Sequence, residues 1–109
     1  MADTPKVLAQ SNPSAATLTD AYTVPAATST VISTLFIANR SGTVTSYRVS
    51  VAVSGAADDN KQYIYYDIPI QGNDTFGSTT GMTLGTGDVV RVYATLASLS
   101  FTLMGVETT

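Results

Sequence analysis

The sequence predicts an all-β chain: an antiparallel β-sandwich of jelly-roll or immunoglobulin-like type, with a small β-barrel as the alternative. Three observations carry that expectation. Apolar and polar residues alternate with a period of two along nearly the whole chain, the spacing of strands with one buried face. Residues that suit a pleated surface are abundant, with 18 threonines and six tyrosines. Clusters of Gly, Asn, Asp, Ser and Pro interrupt the alternation at short, regular intervals. Helical spacing is missing, since Ala15-Ala16 and Ala26-Ala27 are short and stand beside Pro13 and Pro25.

About eight short strands are expected in one domain over 1–109, with residues 1–10 a candidate extended arm. The first two, near 6–10 and 15–23, are short runs closed by Ser11-Asn12-Pro13 and by Val24-Pro25. The third, 29–39, carries apolar residues on both parities: Val31, Leu35 and Ile37 on one, Ile32 and Phe36 on the other. Such a strand is either central and covered twice, or has one face against another subunit. In the fourth, 44–54, Tyr47, Val49, Val51 and Val53 alternate with Arg48, Ser50 and Ala52. The fifth, 62–70, sets Ile64, Tyr66, Ile68 and Ile70 against Tyr63, Tyr65, Asp67 and Pro69, and the proline points to a sheet edge or bulge. The sixth, 75–84, has a candidate break at Ser78–Gly81. In 88–95, Val90, Val92 and Ala94 oppose Val89, Arg91 and Tyr93. The last run, 98–107, sets Leu99, Phe101, Leu103 and Gly105 against Ser100, Thr102, Met104 and Val106.

Composition excludes several kinds of chemistry. The 109 residues contain no Cys, His or Trp, and Glu107 is the only glutamate. Disulfides, thiol or imidazole metal sites, a thiol nucleophile and serine catalysis with a histidine base are therefore unavailable. Only 12% of residues are charged, and the 29 Thr and Ser residues leave a neutral, hydroxyl-rich surface. The five basic residues are scattered and the net charge is −3, which argues against nucleic acid and against an anionic membrane as partners. MADTPKVLAQ lacks the layout of a secretory signal, so synthesis in a cytoplasm is expected. The longest apolar-leaning run, Val31 to Ala38, is far too short to span a bilayer.

No catalytic, cofactor or metal site emerges, and the chain is not expected to be an enzyme. Asp58 and Asp59 are adjacent, so a strand would point them to opposite faces and a turn would use them as caps. With Asn60 they supply oxygen ligands but not the spaced acidic loop of a calcium site. The Gly81–Gly87 segment has the glycines of a phosphate loop without its lysine or its helix. Interface candidates are stronger. Ile32 and Phe36 mark the second face of the third strand, Tyr63 and Tyr65 share a face of the fifth, and Arg91 and Tyr93 share the outer face of another. Tyr and Arg amid low charge are enriched at interface hot spots, although tyrosines also cover sheets while keeping the hydroxyl wet.

The stretch from Leu18 to Glu107 carries a Tyr-Thr-Val-Pro turn (Tyr22 to Pro25), an apolar strand ending in Asn39-Arg40, a Tyr-Tyr-Asp strand (Tyr65 to Asp67), an Asn-Asp-Thr turn (Asn73 to Thr75) and a Leu-x-x-x-Asp-Val-Val-x-Val-Tyr strand (Leu84 to Tyr93). In these motifs, their order and their spacing it resembles a family of small structural proteins of tailed-bacteriophage virions. It implies a virion β-sandwich made in the bacterial host and located on the capsid surface. The implied role is that of a cement or decoration protein that binds the major capsid protein and copies of itself as a dimer or trimer. The alternative is a tail or tail-fibre component that binds a host-surface glycan or another tail protein. The motifs define a fold, so no functional residues are carried over.

Overall fold

The computed structural model describes residues 2–109, and the alternation resolves into nine strands among them. They are β1 (Asp3–Ser11), β2 (Thr19–Thr23), β3 (Ser29–Asn39), β4 (Thr45–Ala52), β5 (Tyr63–Ile70), β6 (Thr75–Ser78), β7 (Met82–Leu84), β8 (Val89–Ala94) and β9 (Leu99–Thr108). Two single-turn 3-10 helices, Val53–Gly55 and Asn60–Gln62, lie between β4 and β5. The run near 75–84 divides into β6 and β7 at residues 79–81, where Gly81 takes a φ of +64° that its missing side chain permits. Both pieces lie antiparallel against β3.

One sheet has the order β1-β9-β3-β6, with β7 also beside β3, and the other has the order β2-β8-β4-β5. Every pairing is antiparallel. With β6 and β7 taken as one interrupted strand, β1 pairs with β9, β2 with β8, β3 with β6 and β7, and β4 with β5. The chain is thus one long antiparallel hairpin, rolled so that successive pairs fall in alternate sheets: a jelly-roll sandwich. The two ladders stay separate, so the sheets do not close into a barrel.

Between the sheets lies one core. Tyr47, Val49, Val90 and Val92 from the β2-β8-β4-β5 sheet meet Ile32, Leu35, Ile37, Leu99, Phe101 and Leu103 from the other, each at most 1% exposed. Tyr47 sits at the centre, its ring 5.9 Å from Phe76, 6.1 Å from Tyr65 and 6.5 Å from Phe101. Burial pushes the Tyr47 phenol up to about 12. At one end of the core the Tyr22 hydroxyl bonds Thr30 and donates to Glu107, whose other oxygen pairs with Lys6. Four strands from both sheets are joined there.

A matched pair of bulges sets which side chains reach that core. β9 runs uninterrupted, while both of its neighbours slip register at consecutive steps around Met104, β1 between Val7 and Ala9 and β3 between Ile32 and Thr34. An extra residue reverses strand parity. In β3 the buried positions are therefore Thr30 and Ile32 before the bulge and Leu35, Ile37 and Asn39 after it. Ile32 is fully buried, which corrects its place among the interface candidates, whereas Phe36 stays outside at 39% exposure. Gly105 lies opposite the bulge, and a β-carbon there would fall 2.0 Å from the Val31 carbonyl oxygen.

The segment expected as an arm begins with Met1, which lies outside the described residues. From Asp3 to Ser11 it is the edge strand β1, laddered along β9, and Ala2 and Thr109 exchange both backbone hydrogen bonds. Pro5 sits on this edge strand, where a missing N–H is tolerated.

Candidate functional site

The outer face of the β2-β8-β4-β5 sheet carries most of the polar and aromatic side chains singled out above. Arg91 and Tyr93 lie there together, alternating with buried Val90, Val92 and Ala94 as expected. Arg91 donates to Asp20 at 3.0 Å and to the carbonyl of Ala56 at 2.8 Å, so it ties β2 to the loop between β4 and β5. Arg48 is the hub. Its guanidinium carbon lies 4.3 Å from the ring centroids of both Tyr66 and Tyr93, and its nitrogens bond both Asp67 oxygens, at 2.6 and 3.3 Å. Two cation–π contacts and a two-pronged ion pair fix the group in one plane.

β5 does not follow simple alternation. Tyr47 faces Ile68, Val49 faces Tyr65 and Ser50 faces Tyr63, so β5 holds one extra residue in each interval. Asp67 takes φ +52° at the first of these bulges, a conformation that Asp accepts more readily than most residues. Tyr65 is therefore turned inward, which separates it from Tyr63. Its ring packs 5.6 Å from Phe76 and 6.1 Å from Tyr47, and its hydroxyl donates to Ser78. Tyr63 and Tyr66 are the pair that meet, edge to face at 5.1 Å. Arg48 and Tyr66 were missed as site residues. Arg48 was legible on the polar parity of its strand, but the β5 bulges hid that Tyr66 lies beside it.

Tyr63 donates to Asp58 at 2.9 Å, and its phenol is raised by burial first and by that carboxylate second. Asn60, Tyr63 and Tyr66 line an open cleft of about 430 Å³. The charged groups bonded across this face include Arg48, Arg91, Asp20, Asp58 and Asp67, two cations against three carboxylates, with both of these cations paired.

The other acidic candidates serve the backbone. Asp59 accepts from the Lys61 N–H, Asp74 from Thr75, and Asp88 from both Ser54 and Gly85. The glycine-rich segment is β7 followed by the turn that Asp88 closes. Among the described residues, no group of three or more Asp or Glu side chains is placed to hold a metal ion.

The opposite outer face is different in character. Val7, Val31 and Phe36 are 51%, 42% and 39% exposed. Register places Val7 beside Met104, Val31 beside Val106, and Phe36 beside Thr102 and over Gly77. The charged residues of these strands are Asp3, Lys6 and Glu107. Asp3 bonds Thr108 at one end, and Lys6 pairs with Glu107 beside Tyr22. The middle of the face is uncharged.

Comparison with protein-family models, with curated proteins and with solved structures finds no match to this chain.

Proposed function

We propose that this chain is a structural protein of a tailed-bacteriophage virion, a capsid cement or decoration protein that binds the major capsid protein and stabilises the shell. The observation that carries the reading is the uncharged outer face of the β1-β9-β3-β6 sheet, with Val7, Val31 and Phe36 exposed on it. An apolar sheet face free of charge is a surface suited to permanent burial against a partner. The motifs that resemble the virion family support the same reading, because their residues do scaffold work. Tyr22 bridges the sheets, Asn39 bonds the Thr43 and Gln71 carbonyls, and Asp88 closes the turn at Gly85 and holds the Ser54 N–H of the distant β4–β5 loop. A decoration protein needs a rigid scaffold and many copies rather than a reactive group, and each bound copy stabilises the shell by mass action.

The test is the copy number of this chain relative to the major capsid protein in purified virions, read by quantitative mass spectrometry. The reading expects on the order of hundreds of copies in a simple ratio to the capsid subunit. A few copies per particle would assign it to the tail instead, and absence from particles would overturn the virion role.

A further inference from the structure

From the opposite face of the sandwich we infer that the Asn60–Tyr63–Tyr66 cleft is a binding site for a neutral sugar, one or two pyranose rings of a surface glycan. The inference does not rest on the capsid role, because it concerns the other sheet. The cleft, at about 430 Å³, lies within the range of small-ligand sites. Its floor is aromatic: Tyr66 is 52% exposed even with Arg48 stacked on its ring, and Tyr63 stands edge to face with it. Such rings take the apolar C–H face of a pyranose.

Charge and hydrogen bonding narrow the ligand further. Arg48 and Arg91 are paired with Asp67 and Asp20, and Lys61 lines a separate pocket with Val51 and Val53, so the residues that line the cleft include no unpaired cation for an anion. The rim is rich in acceptors. Asp58 keeps one carboxylate oxygen beyond the Tyr63 hydroxyl, and Asn60 adds an amide oxygen with its two N–H donors. A ligand that stacks on tyrosine and donates several hydrogen bonds to carboxylate and amide oxygens is a polyol. A proline-rich peptide offers mainly carbonyl acceptors and would leave Asp58 without a donor.

The floor is also preorganised. Arg48 is clamped by Asp67 and by two rings, and Asp59 caps the turn that presents Asn60 by accepting from Lys61. Little ordering entropy remains to oppose binding.

The experiment is a titration of the full chain with neutral oligosaccharides (maltotetraose, mannotetraose, cellotetraose and galactotetraose), each to about 10 mM, followed by the NMR ring signals of the tyrosines. At least one sugar is expected to shift Tyr63 and Tyr66 while leaving buried Tyr47 unmoved. Tyr66→Ala and Asn60→Ala are each expected to weaken that binding about tenfold or more. Thermal unfolding of both variants checks that the fold is intact, and co-sedimentation with capsid shells separates this claim from the capsid role. The inference is overturned if no sugar shifts these rings, if the shifts persist in Tyr66→Ala, or if only a cation such as choline produces them.

Discussion

Ile32 and Phe36 sit four residues apart on one strand and have opposite fates, and the difference is one bulged residue between them. The sequence pattern correctly marks β3 as apolar on both parities, but alternation alone does not say where parity reverses. Truncating Ile32 to Ala leaves a cavity in the core between the sheets and is expected to cost about 3 kcal/mol. Phe36→Asp, on the open face, is expected to cost about 1 kcal/mol or less. Equilibrium denaturant unfolding of the two variants checks the order.

The cluster of Tyr22, Glu107 and Lys6 makes a pH prediction at the same scale. Glu107 is held below its ordinary 4.5 by Lys6 first and by the Tyr22 hydroxyl second. A carboxylate with a depressed folded value stabilises the native state above the unfolded value, and that contribution is lost as pH falls below 4.5. Tyr22 behaves in the opposite sense. Burial, then Glu107, raises it from 10.0 to about 12, so its contribution is full below pH 10.0 and lost as pH rises toward 12. Glu107→Gln is expected to lower stability at neutral pH by about 1 kcal/mol and to flatten the acid limb of the profile. Thermal melts across pH, with phenolate absorbance on the alkaline side, measure both limbs.

Among the elements, the strands that were legible are those where alternation runs unbroken. β8 and β9 present the predicted parities, Val90, Val92 and Ala94 inward on one and Leu99, Phe101 and Leu103 inward on the other. β3 and β5 were placed correctly but faced incorrectly, because bulges cost one residue each and leave no hydrophobic signature. Asp67 at φ +52° was the available hint, an Asp followed by a residue and then a proline inside a strand pattern. The predicted second strand shortened to begin at Thr19, since Ala16 at φ +53° belongs to the preceding turn. Gly105 tests the paired bulges directly. A methyl group there collides with the β3 backbone rather than with a movable side chain. Gly105→Ala is thus expected to destabilise by about 3 kcal/mol or more, whereas Gly81→Ala meets only the smaller strain of a positive φ. Comparison of the two unfolding midpoints reads the difference.

For the whole molecule, the fold class was legible. Periodicity, turn residues and the lack of helical spacing lead to a sandwich, and the pairing of first strand with last makes it a jelly roll. What no one-dimensional pattern conveys is the contrast in character between its outer faces. Arg48, Tyr66 and Tyr93 come from three strands and meet only through sheet register, and the uncharged face arises because β3 carries no charge, Asp3 stands at one end, and Lys6 and Glu107 pair beside Tyr22. A jelly roll by itself hosts many activities, so the proposed role stands on those faces rather than on the fold.

That role is tested most directly by mixing the purified chain with capsid shells that lack it and measuring binding by co-sedimentation. The wild type, Val31→Asp and Phe36→Asp are compared after thermal melts establish that all three are folded. The account predicts that wild type sediments with the shells and that each charge on the open face of the β1-β9-β3-β6 sheet weakens binding at least about tenfold. Undiminished binding of both folded variants would contradict it, and so would failure of the wild type to bind at all.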